Sequence, residues 1–147
     1  MPRTELDGEA VVDTVWGLDG PYTAHDLGQA MLALQHLVRY SNHATLNAPR
    51  TVLAETDDVA TVVRRLGDAL GGLDQLLDQL ADRCDHIAAD PTLKPTDWQG
   101  AADPPLAAAS AGVELRAVAA AAATMRDRMQ RASSAMGSIY LDTEDGR

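Results

Sequence analysis

Residues 59–87 read VATVVRRLGDALGGLDQLLDQLADRCDHI. Their apolar positions are Val59, Val63, Leu66, Leu70, Leu73, Leu77, Leu80, Cys84 and Ile87, and the steps between them alternate four and three. That is a heptad seam, which a helix carries when it lies nearly parallel to another helix along its whole length. At 1.5 Å per residue the seam would run about 40 Å. A second seam of similar length follows at Ala108, Ala111, Leu115, Val118, Ala122, Met125, Met129, Ala132, Met136 and, past Gly137, Ile139. One seam is rich in Leu, the other in Ala and Met, so large side chains can interdigitate with small ones.

Signals on either side bound these helices. Thr56, Asp57 and Asp58 mark an N-terminus, with carboxylates near the positive end of the helix dipole. Asp90-Pro91 ends the helix, and Gly71-Gly72 predicts a kink or break inside it, since Gly costs up to about 1 kcal/mol relative to Ala. Residues 91–102 are a linker long enough for an antiparallel hairpin. Asp103 caps the next helix, with Pro104 at the first position, where a missing N–H costs nothing.

Upstream, Thr23-Ala24-His25-Asp26 resembles a capping box with Asp in place of Glu or Gln. Leu27, Met31, Leu34, Val38, Ser41 and Thr45 step by four and three, predicting a helix over 24–46 whose far end is polar. A connector over 47–56 has room for one helical turn. Residues 1–22 are read as an N-terminal arm, with Val11, Val12, Val15, Trp16 and Leu18 forming a short strand or lying on the bundle. Residues 23–137 are the bundle and 138–147 an acidic flexible tail. The expected fold is all-α: a bundle of three helices, or four if the chain breaks at Gly71-Gly72, built on a long antiparallel hairpin.

Composition agrees with helices. The chain has 147 residues, enough for one core, with no Phe and 3% aromatic residues, and β-rich folds normally draw on aromatic residues. Its single cysteine, Cys84, excludes an internal disulfide and reads as a buried structural thiol. The start has no secretory signal pattern, and no apolar run approaches about 20 residues, so a cytoplasmic location without a membrane span is expected. The net charge of −10 argues against nucleic acid, whose phosphates are held by basic residues. Residues 55–90 carry nine acids and three arginines, whereas 103–137 carry three acids and four arginines. These opposite leanings suggest that the two helices face each other. Ion pairs with the acidic helix are therefore the expected role of Arg116, Arg126, Arg128 and Arg131, with Asp127 and Arg131 able to pair at i, i+4.

No enzyme signature stands out, so no catalytic residue, cofactor or metal is assigned. His25, His36 and His43 fall within about 20° of one line on the first long helix. Their spacing along the axis, about 16 Å and 10 Å, is too great for one zinc ion. Asp74, Asp78, Asp82 and Asp85 with His86 lack the Glu-x-x-His pattern of carboxylate-bridged metal sites and read as a solvated face. Leu32, His36, Arg39, Tyr40 and His43 share a face opposite Leu34 and Val38 and are the candidate partner-binding residues.

Two resemblances bear on function. Trp98-Gln99-Gly100 in the turn and Tyr140-Leu141-Asp142-Thr143-Glu144 after the last helix resemble the WXG100 family of small type VII secretion substrates, with residues 50–147 spanning the hairpin. That resemblance implies export without a signal peptide, dimerisation and no enzymatic activity, although the helix over 24–46 departs from the family. The stretch Leu37-Val38-Arg39-Tyr40-Ser41-Asn42-His43-Ala44-Thr45, followed by Leu73–Leu80 and Ala89-Asp90-Pro91, is similar to small helical actinobacterial proteins of unknown function. It makes Arg39, Tyr40, Asn42 and His43 the most distinctive surface patch. The expected function is that of a non-enzymatic interaction or assembly protein, pairing with a protein partner or with itself.

Overall fold

The computed structural model describes residues 7–96 and 100–141. Within them the chain is helical, with no strand: α1 (Gly8–Val15), α2 (Ala24–Asn47), α3 (Pro49–Val52), α4 (Thr56–Ala88) and α5 (Pro104–Met136). It divides into two units, Met1–Val52 and Leu53–Arg147.

In the first unit, Val11, Val12 and Val15 belong to the helix α1 and not to a strand. The Asp7 carboxylate accepts from the Glu9 and Ala10 amides at 3.0 and 3.4 Å, meeting two donors that a helix N-terminus leaves unpaired. Trp16 closes the helix through its amide to the Val12 carbonyl, 2.7 Å. A turn follows in which Gly20 takes φ +79, a conformation open to glycine but costly for other residues. The Tyr22 hydroxyl donates back to the Leu18 carbonyl. α2 begins where its cap predicts: Thr23 Oγ1 accepts from the Asp26 amide at 3.0 Å and donates to the Asp26 carboxylate at 2.7 Å. Ser41 and Thr45 direct their hydroxyls to the carbonyls of Leu37 and Ser41, both at 2.9 Å, so the polar end of the α2 stripe is satisfied within the helix. No residue of α2 is buried.

In the second unit, α4 runs unbroken through Gly71-Gly72, so the chain does not break there into a further helix. Glu55 takes the cap position, its amide donating to the Asp58 carboxylate at 3.0 Å. Thr56 is thereby released to donate to the Ile139 carbonyl beyond α5, 2.7 Å away. α5 is capped as expected, with Asp103 accepting from the Leu106 amide at 3.1 Å.

The line of closest approach between α4 and α5 consists of small residues. Ala60, Gly67 and Ala81 are buried on α4, and Gly112, Ala119 and Ala122 on α5. Among the described residues the buried apolar side chains are all alanine, and no large side chain is fully enclosed. A Cβ built on Gly67 would stand 3.2 Å from the Met129 Cβ, and one on Gly112 would stand 3.3 Å from the Ala81 carbonyl. Ser133 donates to the Ala60 carbonyl at 2.8 Å, a bond from one helix to the backbone of the other.

Beyond α4, the Asp90 carboxylate accepts from the Thr92 hydroxyl at 2.7 Å and from the Thr92 amide at 2.8 Å. These bonds, the hydroxyl's first and aided by the charge of Arg83, hold the carboxyl below its ordinary value of 3.8. A carboxyl depressed in the folded state adds stability above its unfolded range and loses it as pH falls through the lower folded value. NMR titration of Asp90 should therefore give a midpoint below 3.8, and Thr92→Ala should raise it while leaving the amide bond. A midpoint unchanged by that substitution would refute the assignment.

Candidate interaction surfaces

The candidate residues of α2 lie on one face of that helix, as their spacing requires. All are exposed: Leu32 at 45% and Tyr40 at 70%, with His36, Arg39 and His43 likewise open. The face opposite them is open too, since Leu34 and Val38 are 39% and 51% exposed. Exposure therefore does not single out the histidine stripe from the rest of α2.

In the second unit, the seam has the period read from sequence but a different membership. On α4 every position in the series Thr56, Ala60, Val63, Gly67, Leu70, Asp74, Leu77, Ala81, Cys84 and Ala88 is buried or half-buried. On α5 the same holds for Ala108, Gly112, Leu115, Ala119, Ala122, Arg126, Met129, Ser133 and Met136. Four of the nine expected α4 positions and five of the ten expected α5 positions belong to these series, Cys84 among them as a half-buried free thiol. The others within α4 and α5 are displaced to one residue before a contact position, which leaves Leu66 47% exposed and Val118 53%, with Val59, Leu73 and Ile87 half-buried.

The displaced residues form a surface of their own. They directly precede contact positions, whereas Asp85 and Arg116 directly follow the contact positions Cys84 and Leu115. These are opposite flanks of a heptad seam. Arg116 Nη2 reaches Asp85 at 2.6 Å and Asp82 at 2.9 Å, so both helices turn their following positions to one side. Both then turn their preceding positions to the other. A seven-residue apolar repeat thus lines one side of the pair while charges line the other.

Three of the aspartates on the acidic face of α4 meet arginines of α5. The bonds to Asp85 and then Asp82 raise the Arg116 pKa above its ordinary value. Arg126 approaches Asp74 at 3.7 Å and Asp127 at 3.6 Å. Asp74 therefore stands on the α5 side of the helix and not, as expected, on a solvated face, and Asp127 pairs with Arg126 where sequence spacing suggested Arg131. His86 Nδ1 lies 2.6 Å from the Asp82 carbonyl. Among the described residues no three His, Cys, Asp or Glu side chains gather as a metal would require.

No protein family, curated protein or solved structure matches the chain.

Of the residues that carry the secretion resemblance, Trp98, Gln99, Asp142, Thr143 and Glu144 lie outside the described residues, as do residues 1–6 of the arm and 142–147 of the acidic tail. Tyr140 is exposed. α5 is long and apolar enough, by length and composition alone, to cross a membrane. Glu114 and Arg116 interrupt its apolar stretch, and most of that stretch is alanine.

Proposed function

We propose that this chain is a non-enzymatic helical interaction and assembly protein that works by laying helix faces against a protein partner. One observation carries the reading: the described residues enclose only alanine among their apolar side chains, while Leu66, Val118 and Met125 stand open along one side of a helix pair. Exposed apolar surface that is contiguous and repeating, unlike scattered single residues, is characteristic of protein contact sites. We read α4 and α5 as an antiparallel hairpin. Support comes from the order of their contacts, in which Ala60, Gly67 and Asp74 meet Ser133, Met129 and Arg126, then Asp82 meets Arg116. The α2 residues Leu32, His36, Arg39, Tyr40 and His43 are proposed as a second, more polar contact surface.

The test is a photo-crosslinking amino acid at position 73, installed in the full chain in its own host. A discrete adduct with a polypeptide identified by mass spectrometry is expected, with none from position 117 on the outer side of α5. If position 73 gives no more adduct than position 117, the ridge has no partner and the reading fails.

A further inference from the structure

The apolar ridge has a length, width and charge pattern that can be matched against possible occupants. From Val59 to Ile87 it extends about 40 Å along α4. With two helices side by side it is about 20 Å wide, given interaxial distances of 8–10 Å. That is roughly 800 Å² per copy, the area of a standard specific interface. The apolar stripe of α2, from Leu27 to Val38, is about 17 Å long, since its seam turns polar at Ser41. It would cover less than half of the ridge. A second α4–α5 pair is an occupant of equal length and equal apolar content.

Charges at the ridge margins fit the same occupant. Arg83 borders the ridge on α4 and Glu114 on α5, and the register of the pair sets them at one level along the axis. When two ridges meet face to face about a two-fold axis parallel to the helices, α4 of each copy lies along α5 of the other. Arg83 then stands beside Glu114 of the second copy, twice per dimer. Between these margins Leu76 meets Ala121 of the second copy, and Val62 meets Ala135. No like charges are brought together, and opposite charges at an interface rim fix register and partner choice.

We propose that the ridge is closed by the same ridge of a second copy, forming a four-helix dimer from two α4–α5 pairs. This rests on the reading of the chain as a helix-face interaction protein and names the partner of that surface. The interface is isologous, so each contact occurs twice and the assembly closes at two copies.

Light scattering of the full chain over a wide concentration range tests it. Twice the chain mass of 15.6 kDa is expected. Leu73→Glu combined with Leu80→Glu should return the single-chain mass while far-UV circular dichroism keeps the helical signal. Should that variant unfold, charge reversal remains decisive. Arg83→Glu or Glu114→Arg alone should raise the dimer Kd about tenfold by placing like charges together, and the two combined should restore it. A single-chain mass at all concentrations would overturn the dimer, as would a dimer indifferent to both the ridge and the charge substitutions. The crosslinker at position 73 then sorts the remaining occupants. An adduct within the chain to α2 would place the first long helix on the ridge. An adduct to a different polypeptide would keep the interaction reading while refuting self-assembly. A monomer that sediments with phosphatidylglycerol vesicles and gives no protein adduct would refute both.

Discussion

Ala81→Leu is expected to lower the melting temperature by roughly 10 °C. Ala81 is 0% exposed, and its own carbonyl is 3.3 Å from where a Gly112 Cβ would stand, so two backbones converge at this point. Leucine adds three carbons with no space between the helices to receive them. Overpacking of this kind costs about 1–3 kcal/mol, and rigid backbone on the facing side favours the upper part of that range. For a unit of this size each kcal/mol shifts the midpoint by about 4–8 °C. Separating the helices here also stretches the 2.6 Å bond from Arg116 to Asp85. The control is Ala117→Leu, which adds the same carbons on the exposed outer side of α5 and should leave the midpoint nearly unchanged. Equal melting of both variants, followed by circular dichroism, would show that α4 and α5 do not approach closely at Ala81.

Gly72→Ala should act in the opposite direction, raising the midpoint by about 4–8 °C. Gly72 lies mid-helix in α4, and a Cβ added there meets nothing within 4 Å. The substitution therefore adds the helix propensity that glycine lacks, about 1 kcal/mol, and narrows the unfolded ensemble at the same time. Its neighbour behaves differently. A Cβ at Gly71 would stand 3.2 Å from the Arg126 Cδ and disturb the side chain that approaches Asp74, so Gly71→Ala should yield a smaller gain. A Gly72→Ala variant no more stable than the parent would mean that the helix is interrupted there after all.

The contrast between Ala81 and Gly72 shows what the sequence could and could not convey. Helix positions were legible because caps are local: Thr23, Asp103 and Pro104 act within one turn of their own residues. The heptad period was legible for the same reason. Its phase was not. Leu66, Leu73 and Leu80 repeat as regularly as Gly67, Asp74 and Ala81, and hydrophobicity favours the first series as the buried one. The choice depends on how closely two backbones can approach, which is a property of both helices together. With Gly112 and Ala119 opposite, the small series allows the closest approach and the leucines move to the flank. The unbroken helix at Gly71-Gly72 has the same origin, since packing against α5 outweighs a propensity of about 1 kcal/mol per glycine. In α1 the local helix signals are the Asp7 cap and the first-turn Glu9, and they prevail over the strand propensity of the β-branched Val11 and Val12.

A stripe of alanine and glycine is smooth, and smoothness has a kinetic meaning. Sliding α5 along α4 by seven residues would set Gly112 against Ala88 in place of Ala81, still small against small. Steric fit alone therefore discriminates weakly between neighbouring alignments. What distinguishes them is sparse and polar: Arg116 reaching Asp82 and Asp85 at one end, Thr56 bonding to the Ile139 carbonyl at the other. These contacts serve as detents on a rail. Removing the guanidinium would show itself less as unfolding than as a mixture of alignments exchanging on the microsecond-to-millisecond scale of helix register shifts.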